Sequence, residues 1–174
     1  MQKVLVILGV LFLPIFLNAK SNTQKIGDVL GMAIPLSAYG TTLYLDDKVG
    51  QREFYKSYGS TLLATYALKY SVREQRPDTK EKDSFPSGHT SSAFSGAAFI
   101  HKRYGLKYAV MPYLGAIYTA YSRVHSNRHY IQDVIAGAVI GVASSWYFTT
   151  SYKDVDIIPI VGANYKGIEV KYRW

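Results

Sequence analysis

Two histidines in this sequence stand beside residue types that can bind and transfer a phosphoryl group. The first, His89, follows the run PSG at 86–88 and precedes an apolar segment. Proline fits the first turn of a helix and serine is a favoured N-terminal cap, so a helix is expected to start here. The free amides and dipole at such a start bind anions, and an imidazole beside them can donate a proton. Taken alone, the pattern is better explained by a capped helix carrying a surface histidine.

The second histidine, His129, has a carboxylate at helical spacing. Asp133 lies four residues further on, so a helix that begins near His129 places both side chains on one face. A carboxylate bonded to one ring nitrogen fixes the tautomer and leaves the lone pair of the other nitrogen free. This is how an imidazole becomes a nucleophile, although a local ion pair at a helix start would use the same residues.

Three cations flank these histidines: Lys69, Arg76 and Arg123. Each has an ordinary explanation, since a lysine near a helix end extends to an interface and an arginine is often solvated. Together with the helix start at Ser87 and Gly88, however, they form a set suited to phosphoryl transfer. Fixed cations and amides stabilise the charge that spreads over the transferring group. No acidic cluster suggests a metal site, so neither metal nor cofactor is expected.

The three groups also form a known signature. They occur as KYSVREQRP at 69–77, PSGH at 86–89 and SRVHSNRHYIQD at 122–133. In order and internal spacing the chain resembles the type 2 phosphatidic acid phosphatase (PAP2) family. The signature of that family is a lysine, six residues and Arg-Pro; Pro-Ser-Gly-His; and Ser-Arg, five residues, His, three residues and Asp. No position departs from this pattern.

The resemblance implies a role for each matching residue. His129 would attack phosphorus to give a phosphohistidine, Asp133 would orient it, and His89 would protonate the leaving oxygen. The phosphate would be held by Lys69, Arg76, Ser87, Gly88 and Arg123. Two further histidines match no signature position and are left out of the mechanism, namely His125 and His101.

Helices are expected to position these residues. The segments 27–45, 57–71, 88–101, 107–121 and 131–150 are apolar or weakly polar, long for strands, and without the alternation of a strand. They predict an all-α bundle of about five to six helices, like the core of the resembled family. A catalytic helical domain is expected over 20–152, with a tail over 153–174 that forms a short β-hairpin around Gly162, Asn164 and Gly167.

The solvent of this bundle is a membrane in the favoured interpretation and water in the alternative. The segment 101–108 carries three cations and no acid, which predicts a cytoplasmic position and places 69–89 and 123–133 on the periplasmic side. Small residues at Gly137 and Gly141, and at Ala93, Gly96 and Ala97, would let helices approach closely. Residues 1–19 are either an export signal or a first membrane helix.

Composition excludes several other classes. The chain of 174 residues has no cysteine, which removes disulfides, thiolate metal sites and thiol nucleophiles. Its net charge of +8 would suit nucleic acid, but no nucleic-acid-binding motif or basic helix face accompanies it. The expected partners are therefore a lipid phosphate and membrane lipids, with no nucleic acid and no obligate protein partner.

The function expected from sequence is a metal-independent phosphatase at the periplasmic face of a bacterial inner membrane. Its substrate would be a lipid phosphate or diphosphate: undecaprenyl diphosphate, phosphatidylglycerol phosphate, phosphatidic acid or a lipid A phosphate. The alternatives are a soluble periplasmic nonspecific acid phosphatase, a vanadate-dependent haloperoxidase, and a non-catalytic phospholipid-binding envelope protein.

Overall fold

The computed structural model describes the backbone of residues 19–152, 155–162 and 165–172 and the side chains of residues 22–152. The described part contains five helices, which confirms the predicted all-α bundle. They are α1 (Ala19–Tyr44), α2 (Lys48–Val72), α3 (Gly88–Tyr104), α4 (Leu106–His125) and α5 (Ile131–Phe148). The predicted leader at 1–19 falls outside the described residues, except that Ala19 opens α1.

Helix α2 begins earlier than predicted. The stretch 46–56 was expected to be a connection, but α2 is helical from Lys48 onward. Asp47 caps it, and its side chain accepts a hydrogen bond of 2.9 Å from the backbone N–H of Gly50. The first turns of α2 are polar, so a search for apolar segments misses them, whereas the capping residue marks the true start.

Helix α3 is the centre of the bundle and packs against each of the other four helices. Its contact with α5 depends on two glycines. A β-carbon at Gly137 would lie 2.6 Å from the carbonyl oxygen of Ser87, and one at Gly141 would lie 2.4 Å from that of Ser91. A β-carbon at Gly96 would similarly lie 2.7 Å from the Cα of Pro35 in α1. The prediction that these small residues allow close helix approach is confirmed.

Replacing Gly137 by alanine is therefore expected to push α5 away from the start of α3. The added methyl meets backbone rather than a movable side chain, so the protein should lose about 1–3 kcal/mol of stability. Thermal unfolding in detergent would measure the loss. Gly59→Ala is the matched control, because a β-carbon there has no neighbour within 4 Å and alanine favours helix. Equal melting temperatures for the two variants would contradict the packing argument.

The bundle buries many small and hydroxyl-bearing side chains together with a few large ones such as Phe54 and Phe99, and it exposes many large apolar side chains. Buried residues include Ala93, Ala97, Ala116, Ser57, Thr61, Thr65, Ser91 and Ser95, and the exposed apolar residues include Leu36, Leu63, Leu114, Ile117, Ile135 and Val139. Among the described helices, Ile131–Phe148 is long and apolar enough to cross a bilayer. Small interfaces with an apolar exterior are typical of helices that pack within lipid.

A buried ion pair joins the start of α2, the end of α3 and the segment that follows α5. The guanidinium of Arg103 donates to both carboxylate oxygens of Asp47, at 2.7 and 2.6 Å. It also donates to the carbonyl oxygens of Thr150 and Ser151 at 3.0 and 3.2 Å. Arg103 is thus neutralised inside the protein, and of the three cations at 101–108 only Lys102 and Lys107 still support a cytoplasmic position.

The tail forms two strands, β1 (Val155–Gly162) and β2 (Tyr165–Tyr172), which pair antiparallel. In their register Gly162 faces Tyr165 and Val155 faces Tyr172. Gly162 is the last residue of β1 and Gly167 lies within β2, whereas Asn164, the remaining residue of the predicted turn, lies outside the described residues.

Candidate active site

The three parts of the signature meet at one end of the bundle. Lys69 lies in the last turn of α2 and Arg123 in the last turn of α4, while His89 and Asp133 lie in the first turns of α3 and α5. The backbone N–H of Ser87 donates to the carbonyl oxygen of Asp133 at 2.9 Å, which joins the second part of the signature directly to the third. Segments far apart in sequence are thus brought to one place.

His129 and Asp133 form a buried pair, and their side chains are 3% and 0% exposed. The imidazole Nδ1 lies 3.3 Å from the carboxylate Oδ2 of Asp133. The same oxygen accepts from the backbone N–H of Tyr130 at 2.9 Å, so the carboxylate is fixed in place. With Nδ1 facing the carboxylate, the nitrogen left for attack is Nε2.

Ser84 is a third member of this group that sequence reasoning missed. Its hydroxyl donates to Oδ2 of Asp133 at 2.5 Å and lies 3.4 Å from Nδ1 of His129. Ser84 is fully buried. It stands two residues before the PSGH run and outside the signature, and its partners lie more than forty residues further along the chain, so no local spacing pointed to it.

The pKa of His129 is lowered to about 4. Burial is the largest cause, followed by the positive charges of Lys69 and Arg76, and the carboxylate of Asp133 acts in the opposite direction. The imidazole is therefore neutral at neutral pH, which is the form that can attack phosphorus.

The loss of activity at acid pH should reflect the lowered pKa of His129. Protonation of His129 blocks attack, so kcat/KM is expected to rise with pH through the region near pH 4 and not near the ordinary histidine value of about 6.5. In kcat the limb should lie at higher pH, because bound phosphate stabilises the imidazolium form. The measurement is initial rate against pH on 4-nitrophenyl phosphate, corrected for the ester's own ionisation near about 6. An acid limb in kcat/KM that remains at the ordinary histidine value after this correction would contradict the burial argument.

His89 has a carboxylate partner that the sequence did not reveal. Its Nε2 lies 3.1 Å from Oδ1 of Asp28, a residue of α1. The same oxygen accepts from the guanidinium of Arg123 at 2.6 Å, so Asp28 links the predicted proton donor to a predicted phosphate ligand. An acidic residue inside an apolar segment is itself a signal of function, and that signal could have identified Asp28.

The start of α3 differs in detail from the prediction. Pro86 was expected in the first turn, but α3 begins at Gly88, and Pro86 precedes it in a cis peptide bond with Phe85. Ser87 does occupy the capping position, yet its hydroxyl bonds to that of Thr90 at 3.0 Å instead of capping the helix. A β-carbon at Gly88 would lie 3.8 Å from Cε of Lys69, so the start of α3 lies beside the end of the Lys69 side chain.

Each arginine of the signature is paired with an aspartate. Arg76 donates from Nε and Nη2 to the two oxygens of Asp83, at 2.6 and 2.9 Å. This bond is the largest cause of the lowered pKa of Asp83. Arg123 bonds to Asp28 and also donates to the carbonyl oxygen of Gln24 at 2.7 Å. A guanidinium has five N–H donors, so these bonds use two of the donors of Arg76 and leave others for a phosphate.

The ammonium group of Lys69 is held by backbone. It donates to the carbonyl oxygens of Asp83 and Ser84, which belong to the connection between α2 and α3. Lys69 and Arg76 act electrostatically on both His129 and His89, so the two imidazoles share one field of positive charge. This arrangement can bind a phosphate, attack it and protonate its leaving group.

The second oxygen of Asp133, Oδ1, is buried and finds no ordinary hydrogen-bond donor in the described part of the chain. The carboxyl group of Glu74 lies beside that of Asp133, and it also accepts a 3.3 Å bond from the side chain of Gln132. Burial and the hydrogen bond with Asp133 raise the pKa of Glu74. A bond between two carboxyl groups needs a proton on one of them, and Glu74 is placed to carry it.

The remaining histidines lie outside this group. His101 bonds to the hydroxyl of Tyr113 at 3.3 Å, and His125 stacks on the ring of Tyr121. Within residues 22–152, no group of three or more His, Asp or Glu side chains has the geometry to hold a metal ion.

Known proteins resemble this chain in both sequence and fold. The model of the PAP2 superfamily matches residues 74–156. A lipid A 1-phosphatase of Porphyromonas gingivalis is 43% identical over 79 residues, which are 44% of this chain but only 18% of that protein. A lipid A 4'-phosphatase of Helicobacter pylori is 30% identical over 169 residues, covering 87% of this chain and 85% of that protein.

The fold comparison agrees with these matches. The crystal structure of LpxE from Aquifex aeolicus superposes with a TM-score of 0.62 at 21% identity, over 81% of this chain and 91% of that one. The family match, the near full-length relative and the shared helical fold lead to one conclusion: this chain belongs to the PAP2 superfamily of phosphatases.

Proposed function

We propose that this protein hydrolyses the phosphate ester of a lipid, with lipid A as the substrate class, through a phosphohistidine at His129. The observation that carries the proposal is the buried His129–Asp133 pair beside Lys69 and Arg76, with Arg123 acting on the neighbouring His89. The substrate class is suggested by the two relatives, which are named for the 1- and 4'-phosphates of lipid A.

The proposed reaction has two steps. Nε2 of His129 forms a bond to phosphorus while the bond from phosphorus to the lipid oxygen breaks, and His89 gives that oxygen a proton. Water then attacks the phosphohistidine and loses a proton to His89, so that phosphate leaves and both imidazoles return to their starting states. Lys69, Arg76 and Arg123 stabilise the charge on the transferring group in both steps.

We further propose that the bundle lies in the inner membrane with the site at the periplasmic face. The apolar exterior and the apolar length of α5 support a position in the membrane. The periplasmic face is supported by Lys102 and Lys107, which lie toward the other end of the bundle and favour a cytoplasmic position there. A lipid phosphate in the outer leaflet would then present its head group at the level where α3 and α5 begin.

Phosphate release across a panel of lipids tests the substrate. The panel comprises a lipid A phosphate, phosphatidylglycerol phosphate, phosphatidic acid and undecaprenyl diphosphate in mixed micelles, each with and without a chelator. The expected result is the highest kcat/KM on lipid A phosphate, unchanged by chelator. Higher activity on another lipid would overturn the substrate, and no turnover of any of them would favour a non-catalytic lipid-binding protein.

Membrane fractionation of the same preparation tests the position. The protein is expected to stay with the membrane after carbonate extraction. Release into the supernatant would instead support a soluble periplasmic acid phosphatase.

A further inference from the structure

An apolar groove runs along the outside of the bundle between α1 and α2. Its volume is about 280 Å³. The lining residues are Met32, Pro35, Leu36, Tyr39, Phe54, Tyr55 and Tyr58. None of them belongs to the catalytic group, so the groove is a feature distinct from the phosphate site.

The groove nevertheless begins one helical turn from that site along α1. Asp28, one turn before Met32, bonds to His89, and a β-carbon at Gly31 would touch the His89 ring at 3.0 Å. From Gly31 to Tyr39 the helix rises about 12 Å, at about 1.5 Å per residue. The same helix therefore contacts the proton donor at one level and lines the groove at the next.

A chain of hydrogen bonds connects the groove wall to the same point. The hydroxyl of Tyr58 bonds to that of Ser92 at 2.8 Å, and Ser92 donates to the carbonyl oxygen of Gly31 at 2.8 Å. Ser92 lies one turn after His89 on α3. Tyr58 in the inner wall of the groove is thus linked through Ser92 to the backbone of Gly31, which lies against the His89 ring.

The far end of the groove is bounded by aromatic side chains. The hydroxyls of Tyr39 and Tyr55 contact each other across the two helices. Behind them the ring of Phe54 packs on Tyr39 and on Tyr58, with centroids 5.4 and 5.3 Å apart. The groove therefore has a beginning near the catalytic group and an end about two helical turns away.

We propose that this groove binds one acyl chain of the lipid phosphate substrate and so sets its orientation and preferred chain length. The inference rests on the proposed function, because it supplies the tail-binding part of the same substrate. A chain held along α1 fixes the direction from which the head group reaches His89. The acyl chain already lies in lipid, so moving into the groove gains little hydrophobic free energy. The groove would instead favour the reaction by orienting the substrate and packing against its chain.

Photo-crosslinking tests the groove without turnover. A lipid A phosphate with a photoreactive group in one acyl chain is bound to the His129→Ala protein in micelles, and labelled peptides are mapped by mass spectrometry. Labelling concentrated in 32–39 and 54–58 is expected, and the dephosphorylated lipid with the same chain should label these segments several-fold less. Equal labelling by both lipids, or labelling spread over the whole apolar exterior, would show that the groove is ordinary lipid-facing surface.

Kinetics of a groove-filling variant give the second test. Leu36→Trp is expected to lower kcat/KM on lipid A phosphate about tenfold and to leave 4-nitrophenyl phosphate unchanged, since that ester has no chain. Leu36→Phe should have a smaller effect in the same direction. The matched control is Leu63→Trp, at an exposed position of α2 outside the groove, which should change neither rate.

The outcomes separate this inference from the proposed function. Groove labelling without turnover of any lipid would support acyl-chain binding in the groove and overturn the proposed phosphatase activity. Turnover with equal rates for Leu36→Trp and Leu63→Trp would overturn the groove alone, as would an equal loss by Leu36→Trp on both substrates.

Discussion

Replacing His129 by alanine is expected to reduce phosphate release from a lipid phosphate roughly 10⁴-fold or more, to near the detection limit. The imidazole is the only group that the proposed mechanism places to attack phosphorus, and the remaining cations can bind the substrate but cannot accept the phosphoryl group. Initial rates of the purified variant measure the loss. Quenching the wild-type protein in denaturant during turnover should trap a phosphohistidine that the variant lacks.

His125→Ala is the matched control for that experiment. It removes an imidazole from the same short region of the chain, but the ring is exposed and stacks on Tyr121 rather than facing the catalytic group. Near-normal activity is expected. If His129→Ala retained activity comparable to that of His125→Ala, the nucleophile would have to be another residue.

Replacing Asp133 by asparagine is expected to reduce activity by roughly 10³–10⁴-fold with little change in fold. An amide oxygen can still accept the bonds that Oδ2 receives from Ser84 and Tyr130. What is lost is the negative charge that stabilises the imidazole as it becomes positive during attack. Because Asp133 raises the pKa of His129, its removal should also move the acid limb of kcat/KM to still lower pH.

The pH profile distinguishes this effect from a loss of packing. Gln132→Ala changes the neighbouring residue in the same turn. Its side chain is exposed and donates to Glu74, so the variant should retain near-normal rates. A large rate loss in Asp133→Asn accompanied by a lower melting temperature and an unmoved acid limb would indicate a structural role for the carboxylate instead.

The parts of the site that could be predicted from sequence are those fixed by local spacing. His129 and Asp133 are four residues apart on one short segment, and their contact was predicted from helical spacing. The contact exists, but α5 begins only at Ile131, so His129 reaches Asp133 from the residues just before the helix. The partners Asp28 and Ser84 could not be deduced in this way, because each meets its histidine through the packing of different elements. Both also lie outside the three-part signature.

The fold shows the same difference between features set by local sequence and features set by packing between distant segments. Apolar segments gave the number of helices and their approximate centres, since a long apolar run has few alternatives. The start of α2 was missed because its first turns are polar and are stabilised by Asp47, which is in turn held by Arg103 from α3. That ion pair joins residues distant in sequence, and no periodicity within either segment predicts it.

In the proposed mechanism a phosphate would share the guanidinium groups of Arg76 and Arg123 with Asp83 and Asp28, since the aspartates use only some of the N–H donors. The negative charge of each aspartate would then weaken the binding of any anion, substrate or product. The arginines keep their orientation between turnovers, and the free product, which has no lipid tail to retain it, should be a weak inhibitor.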